Sequence, residues 1–276
     1  QKQHSLCYKK LNMRKKDLSV LKLEKICLKD KESLIYSDFK LCLDKSVKNK
    51  TFLVAVSGGP DSLALTVLSK IYSKKSKNKT FFVLVDHGIR SNSSQEAEDV
   101  KLLLKKKKIN LIILKNKEKI NQNIQSQARE VRYKLLLNFC KKKKIKFILT
   151  GHHRDDQIET FLIRLSRGSG IQGLSSMKKI SNLDNKTKLI RPLLNQKKKE
   201  LIILAKQYFG KIFKDPSNTN QKYLRTKMRF LIKQFEKYGI KQEKIINSIN
   251  NLGITRDTLN SYISRVEKNF VIKKKK

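Results

Sequence analysis

The chain has 276 residues, of which 38% are hydrophobic, so it can bury the core of one domain with an appendage or of two small domains. Its 65 Lys and Arg residues against 23 Asp and Glu residues leave a net charge of +42, which attracts polyanions and makes their binding depend on salt. Two interpretations of this charge stay open: RNA binding, or the lysine-rich coding bias of a genome.

The composition excludes several classes of protein. No apolar run reaches the length of a membrane span, and the first residues lack the apolar region of a signal peptide. No cysteine belongs to a C-x-x-C pair. We therefore expect a cytoplasmic protein with reduced thiols and no membrane contact. The four cysteines are Cys7, Cys27, Cys42 and Cys140.

Hydrophobic patterning predicts a loosely ordered extension over residues 1–32 and a helix over 33–46. Strands without polar alternation then alternate with amphipathic helices. This order predicts an α/β fold, a doubly wound parallel sheet covered by helices on both faces. The predicted strands are 51–56, 80–86, 109–114 and 145–150, and the predicted helices are 61–73, 94–107, 123–142 and 155–166.

The pattern changes after residue 170. Residues 171–196 are typical of a loop region, 197–209 of a helix, and 230–268 of two helices in a small C-terminal helical domain. We predict three parts: a lysine-rich extension with a leading helix, a sheet domain, and a basic helical domain. Their predicted bounds are 1–48, 49–212 and 213–276.

An anion site is predicted directly behind the first strand, at residues 57–62. Glycines let the backbone approach an anion and turn its N–H groups inward, and the N-terminus of the following helix favours negative charge. The other interpretation is an ordinary strand–helix turn capped by Ser or Asp. The segment reads Ser57, Gly58, Gly59, Pro60, Asp61, Ser62.

Asp61 is the unexpected member of this loop, because a carboxylate repels phosphate unless a cation lies between them. It therefore indicates Mg²⁺. Pro60 suits the first helical turn, where it needs no N–H partner. The loop is not a Walker A motif, because the single Gly-Lys pair of the chain, at 210–211, is followed by Ile212.

A second polar segment follows strand 80–86, at the end where ligands bind in parallel sheets. Asp86, His87 and Arg90 either shape a nucleotide pocket with Arg90 facing phosphate, or form a turn with a solvated arginine.

The densest polar cluster, residues 151–160, follows the fourth predicted strand. Either Asp155 or Asp156 caps the next helix, with Glu159 completing a capping box. That leaves His152, His153 and one Asp for proton transfer, Mg²⁺ binding or an incoming amine. Zinc is disfavoured, because adjacent histidines point apart. We expect the polar side chains at the three strand ends to converge on one rim of the sheet.

Three further segments are ambiguous. Arg129 and Arg132 share one face of a predicted helix, where they either neutralise phosphate or form surface pairs. Residues 167–173 contain Gly-x-Gly-x-x-Gly but follow a helix, so they predict a helix end and a flexible loop, not a dinucleotide site. The segment 215–229 joins a turn to a basic helix whose side chains either contact RNA or lie on a basic surface. Its polar residues are Asp215, Ser217, Asn218, Tyr223, Arg225 and Arg229.

In this order the segments resemble the tRNA(Ile)-lysidine synthetase family of PP-loop ATP pyrophosphatases, over about residues 50–230. Loop 57–62 identifies only the superfamily, whereas segments 150–160 and 215–218 make the resemblance specific. Gly151 departs from the family, which usually has Ala there. Further matching segments are 85–90, 129–133, 167–170 and 191–194.

The resemblance implies an ATP-dependent ligase that forms a carbon–nitrogen bond. ATP adenylates the C2 oxygen of the wobble cytidine in the CAU anticodon of an isoleucine tRNA, and free L-lysine then attacks C2 and releases AMP. Domain 49–212 would then bind ATP, and domain 213–276 would contact tRNA.

The resemblance also implies roles for individual residues, although several assignments within the site stay open. Two other functions also stay open: a PP-loop cytidine thiolase, and a non-catalytic, nucleotide-sensing RNA-binding protein. The implied roles are pyrophosphate binding by Ser57, Gly58, Gly59 and Ser62, Mg²⁺ positioning by Asp61, nucleotide binding by Asp86, His87 and Arg90, phosphate or cytidine binding by Arg129 or Arg132, and lysine binding or proton transfer by His152, His153, Asp155 and Asp156.

Overall fold

The computed structural model describes residues 30–76, 78–118, 120, 124–213 and 223–270. The chain divides into two compact units. Unit 1 comprises Gln1–Gly151 and Ile180–Lys214, and unit 2 comprises His152–Lys179 and Asp215–Lys276. The predicted extension 1–32 lies outside the described residues except for its last three positions.

The described helices and strands alternate through most of unit 1, as the sequence predicts. In chain order they are α1 (Asp30–Val47), β1 (Phe52–Val56), α2 (Pro60–Lys75), β2 (Thr80–Asp86), α3 (Ser93–Lys106), β3 (Leu111–Lys115), α4 (Ile124–Lys143), β4 (Phe147–Leu149), α5 (Arg154–Leu165), α6 (Ile171–Leu174), β5 (Ile180–Asn182), β6 (Lys188–Ile190), α7 (Lys198–Phe209), α8 (Leu224–Lys237) and α9 (Gln242–Phe270).

Unit 1 is built on a six-stranded sheet with the order β3-β2-β1-β4-β6-β5. All described pairings are parallel except that of the edge strand β5 with β6. The predicted α/β fold with a doubly wound parallel sheet is confirmed. The loop predicted over 171–196 is wrong in part, because α6, β5 and β6 lie there. Each of these elements has only three or four residues, too few for a recognisable period.

Helices cover both faces of this sheet. Along β1, Phe52, Val54 and Val56 pack with α1, α2, α3 and α7, whereas Leu53 and Ala55 pack with α4 on the other face. Such two-sided burial explains why the strands lack polar alternation. Helix α1 belongs to this core, since Phe39 and Leu43 are fully buried.

Unit 2 is helical in its described part. Ile158 and Leu162 of α5 pack against Ile232 of α8, with partly buried side chains from α9 around them. This cluster explains why residues 152–179 group with the C-terminal helices. The predicted domain bounds stay predictions.

The loop that follows α5 is held at several points. Arg164 Nη1 donates to the carbonyl oxygens of Gly173 and Ser176, at 2.7 and 3.1 Å. Gln157 exchanges two hydrogen bonds with the backbone of Met177, at 2.8 and 2.9 Å. The buried Arg256 of α9 donates to Ser175 Oγ at 2.5 Å. The second half of this loop is therefore fixed within unit 2. Among the described residues, no helix is long and apolar enough to cross a membrane.

Candidate active-site residues

The predicted anion loop lies between β1 and α2, and Ser62 ties it together. The Ser62 hydroxyl accepts hydrogen bonds from the N–H and the hydroxyl of Ser57, both at 3.1 Å, and donates to the Gly59 carbonyl at 2.9 Å. One hydroxyl thus joins the start of the loop to the first turn of α2. This network gives the loop a defined shape before any ligand enters it.

Gly58 is required by the backbone of this loop. Its φ is +82°, and a methyl group at this position would lie 2.6 Å from Cγ2 of Val100. The N–H of Phe213 also donates to the Gly58 carbonyl at 3.4 Å. Conformation and space therefore both exclude a side chain here.

The start of α2 has the features of an anion site. Gly59 is the N-cap and provides no side-chain cap, so first-turn N–H groups can bind an anion. Asp61 lies in this first turn, as predicted. Its carboxylate oxygens suit a hard cation such as Mg²⁺, which is commonly held by one or two carboxylates together with phosphate oxygens.

The end of β4 packs directly on this turn. A methyl group at Gly151 would lie 3.0 Å from the carbonyl carbon and oxygen of Asp61, and 3.2 Å from the Ser62 nitrogen. Gly151 therefore allows a closer approach of the end of β4 to α2 than a Cβ would permit.

At the end of β2, Asp86 holds its own loop. Its carboxylate accepts hydrogen bonds from Gly88 N at 3.0 Å and from Ser94 Oγ at 2.7 Å. Burial opposes ionisation, but the hydrogen bonds from Ser94 and Gly88 hold the pKa of Asp86 below its usual range. Arg90 is exposed and lies 2.9 Å from Glu96 Oε2. These contacts match the turn interpretation, and the nucleotide-binding roles of both residues stay predictions.

His87 is the side chain of this loop that contacts a candidate catalytic residue. Arg132 Nε and Nη2 each lie 3.5 Å from His87 Nε2. Asn116 Nδ2 donates to the His87 carbonyl at 3.2 Å. Burial and, to a smaller extent, the charge of Arg132 lower the pKa of His87 to about 4. The negative charge of Asp86 raises this pKa, but by less. His87 is therefore neutral at physiological pH.

The two candidate arginines of α4 have different surroundings. Arg132 approaches the loop after β2. Arg129 is exposed and stacks on Tyr133, with its Cζ 4.9 Å from the ring centroid. The sequence left the choice between them open, and the contacts favour Arg132 for a role beside His87.

In unit 2, His153 is the N-cap of α5. The prediction that Asp155 or Asp156 caps this helix is wrong, because α5 begins at Arg154 and both carboxylates lie in its first turn. The N–H of His153 donates to Asp156 Oδ2 at 3.0 Å. The ring of His153 lies near both carboxylates: its Nε2 is 3.6 Å from Asp156 Oδ2, and its Nδ1 is 3.9 Å from Asp155 Oδ1.

Asp156 is ionised although it is buried. Burial would raise its pKa, but the imidazoles of His153 and His152, the His153 N–H and the charge of Arg225 together hold the pKa of Asp156 below its usual range. Asp156 therefore offers a negative charge next to two histidines. His152 is half-buried and His153 is 2% exposed.

Glu159 was not assigned to the candidate site from the sequence. It is 1% exposed, and its Oε1 lies 2.6 Å from Nε of Arg229. Burial raises the pKa of Glu159, and the hydrogen bond from Arg229 opposes that rise. Its position three residues after Asp156, on the same helical face, was the signal that could have identified it. Arg229 is thus engaged inside unit 2 rather than on a basic surface.

Two further expectations from the sequence stay predictions. The segment Asp215-Pro216-Ser217-Asn218 lies outside the described residues. Convergence of all polar side chains on one rim involves residues of both units, and it stays a prediction, as does each assigned role.

Comparison with known proteins confirms the resemblance drawn from the motifs. The model of the PP-loop domain matches residues 32–235. The chain is 44% identical over 200 residues to the tRNA(Ile)-lysidine synthase of Wolbachia pipientis wMel, covering 71% of this chain and 46% of that protein. It is 43% identical over 187 residues to that of Orientia tsutsugamushi (strain Boryong), covering 67% and 42%. The chain thus spans about half the length of these curated relatives.

A solved structure shares the fold. The U34-tRNA thiolase NcsA from Methanococcus maripaludis, with its [4Fe-4S] cluster, superimposes with a TM-score of 0.64 at 20% identity, over 80% of each chain. At that identity the likeness concerns the fold alone.

Proposed function

Because the chain belongs to the PP-loop domain family, we propose that it uses ATP to attach lysine to C2 of the wobble cytidine in a CAU-anticodon isoleucine tRNA. The products are lysidine in the tRNA, AMP and pyrophosphate. The observation that carries the proposal is that one chain, whose curated relatives are lysidine synthases, contains both the Ser57–Ser62 anion loop and the His153–Asp156 cluster.

In the first step, the cytidine C2 oxygen attacks the α-phosphorus of ATP, a new P–O bond forms, and pyrophosphate leaves. Backbone N–H groups of Gly58 and Gly59 and the start of α2 bind the phosphates, with the hydroxyls of Ser57 and Ser62 beside them. Asp61 would hold Mg²⁺, which neutralises phosphate charge when bound. Arg132, oriented by His87, binds phosphate or the cytidine.

In the second step, the amine of lysine attacks C2, the C2–O bond breaks, and AMP leaves with the oxygen. The amine arrives protonated and must lose a proton before it attacks. Asp156 is suited to bind the ammonium group, because its pKa lies below the usual range and it stays ionised. His152, His153 and Asp155 belong to the same cluster, and each can accept a proton when it is in its unprotonated form.

Two other functions fit less well. A thiolase that works through cysteine commonly uses a C-x-x-C pair for sulfur transfer or for a cluster, and the sequence contains no such pair. A non-catalytic nucleotide sensor would use the Ser57–Ser62 loop but has no need of an ionised Asp156 next to two histidines. The His153–Asp156 cluster therefore favours a group-transfer enzyme.

An omission experiment tests the proposal. AMP release is measured with ATP, lysine and tRNA all present, and again with each omitted in turn. We expect AMP release in the complete mixture and its loss without tRNA. AMP release that needs neither tRNA nor lysine would contradict the proposal, and a requirement for a sulfur donor in place of lysine would favour the thiolase.

A further inference from the structure

A groove of about 690 Å³ runs along the outer side of α4 in unit 1. Leu137 of α4 and Leu183, from the turn between β5 and β6, line it with apolar surface. Both side chains also contact the core cluster beneath. None of the proposed steps of the reaction uses this groove.

The charged side chains that line the groove are mostly basic. Arg129, Lys134 and Lys141 line it, and Glu130 is its one acidic lining residue among the described residues. From Arg129 to Lys141 the helix rises about 18 Å, at about 1.5 Å per residue. A stacked nucleic-acid strand rises about 3.4 Å per nucleotide, so this length spans several nucleotides.

An aromatic ring also lines the groove, next to the basic side chains. Tyr133 lines the groove and already stacks with the guanidinium of Arg129, 4.9 Å from the ring centroid. A cation beside an aromatic ring, over apolar surface, suits a ribonucleotide, whose base stacks while its phosphate is neutralised. A purely acidic peptide would use the charges but not the ring.

The orientation of α4 connects the groove with the nucleotide loop. Helix α4 follows β3 and precedes β4, which lies parallel to β1. Its N-terminal end, which bears Arg129, therefore lies at the carboxyl edge of the sheet, the edge where β1 leads into the Ser57–Ser62 loop. The groove starts at that edge and leads away from it toward Lys141.

We propose that this α4 groove binds the RNA chain that flanks the reacting cytidine, with phosphates on Lys134 and Lys141 and a base on Tyr133. The inference rests on the proposed function, which it extends from the reacting nucleotide to its neighbours. Lys134 lies 2.6 Å from Glu118, with both side chains 61% exposed. Such a surface pair contributes at most about 1 kcal/mol, so a phosphate can replace the carboxylate at little cost.

The test measures binding of a fluorescent RNA hairpin with a CAU loop at several salt concentrations. The double variant Lys134→Ala/Lys141→Ala is compared with Lys105→Ala/Lys106→Ala, which removes the same charge from exposed residues of α3 on the other face of the sheet. We expect the groove variant to bind about tenfold more weakly or worse at about 0.1 M salt, with a salt slope reduced by about one per lysine. The control should change less than about twofold, because distant charges are screened at that salt concentration.

Tyr133 separates RNA from other polyanions. Tyr133→Leu should weaken RNA binding about fivefold or more, Tyr133→Phe should restore it, and neither should change binding of polyglutamate. The thermal midpoint, Tm, of each variant checks that the fold is kept. Equal losses of RNA affinity in the groove and control variants would overturn the proposal and would indicate that RNA is attracted by the positive charge of the whole surface. Equal loss of polyglutamate binding on Tyr133→Leu would overturn it in favour of an acidic protein partner.

The two proposals fail in different ways. If the wild-type chain binds and modifies RNA but the groove variants match it, only the groove proposal fails. If the wild-type chain neither binds nor modifies RNA, the proposed function fails as well. With saturating RNA we expect the groove variants to keep kcat and to raise KM for RNA, because the groove holds no reacting atom.

Discussion

Nε2 of His87 lies 3.5 Å from both Nε and Nη2 of Arg132, so the imidazole faces a guanidinium. A guanidinium only donates, so Nε2 must be the acceptor, and this contact assigns the ring proton to Nδ1. Nδ1 is buried and has no hydrogen-bond partner in the described part of the chain. An unsatisfied buried donor costs about 1–3 kcal/mol, which is a reason to expect His87 to serve function more than stability.

The first prediction concerns the pH dependence of stability. The pKa of His87 falls from 6.5 to about 4 on folding, so between these values the unfolded chain binds more protons than the folded one. Stability therefore falls as pH drops through this window. His87→Asn should flatten the change in Tm between about pH 7.5 and about pH 5. An equal change in Tm for variant and wild type would contradict the assigned pKa.

The second prediction concerns Gly58. Gly58→Ala places a methyl group 2.6 Å from Val100 Cγ2 at a φ of +82°, so it should lower the stability of unit 1 and weaken ATP binding. The strain alone is worth about 1–3 kcal/mol. Gly170→Ala is the control, because a methyl group there meets no atom within 4 Å. Tm and ATP affinity are measured for both, and equal behaviour would contradict the described loop.

In the Gly58→Ala variant, the two causes can be separated. Adding Val100→Ala removes the steric conflict but leaves the positive φ, so we expect partial recovery of Tm. Full recovery of Tm would mean that the positive φ contributes nothing to the loss of stability.

The third prediction concerns the buried ion pair. Arg229→Ala leaves Glu159 buried without its cation, and should lower the free energy of unfolding by about 2–3 kcal/mol, less than for a fully buried pair because Arg229 is 29% exposed. Glu159→Gln/Arg229→Met removes both charges and should recover much of that loss. Chemical denaturation measures both. No loss in the single variant would mean that the pair is not formed.

The fourth prediction concerns Asp61. If it holds Mg²⁺ in the first step, Asp61→Ala should abolish AMP formation while RNA binding survives. Asp99→Ala is the control, since Asp99 bonds Gln95 on the exposed side of α3. AMP release and RNA affinity are measured in parallel. Loss of RNA binding in Asp61→Ala, with the control unchanged, would contradict a role limited to the metal.

Much of unit 1 could be predicted because it depends on local signals. Strands buried on both faces read as continuous apolar runs, and the Ser57–Ser62 loop has its own spacing of glycines. The strand β6 escaped prediction because its three residues pair with β4 across a long stretch of chain. The pattern of residues within a short segment does not predict a pairing between strands that lie far apart in the sequence.

The candidate site shows the same limit. Arg129 and Arg132 are equivalent in the sequence, and only the approach of His87, 45 residues earlier in the chain, distinguishes them. Glu159 was assigned to a capping box because helix starts are uncertain by a residue or two, and its partner Arg229 is 70 residues away. Tertiary contacts, which the sequence does not show, determine the surroundings of these side chains.

The central claim is that this chain transfers lysine to RNA at the expense of ATP. The most direct test incubates it with ATP, radiolabelled lysine and an unmodified isoleucine tRNA with a CAU anticodon, next to a tRNA in which the wobble cytidine is replaced by uridine. We predict label in the first tRNA, in amounts equal to the AMP released, and none in the second. AMP release without label in the tRNA, or equal label in both tRNAs, would contradict the account.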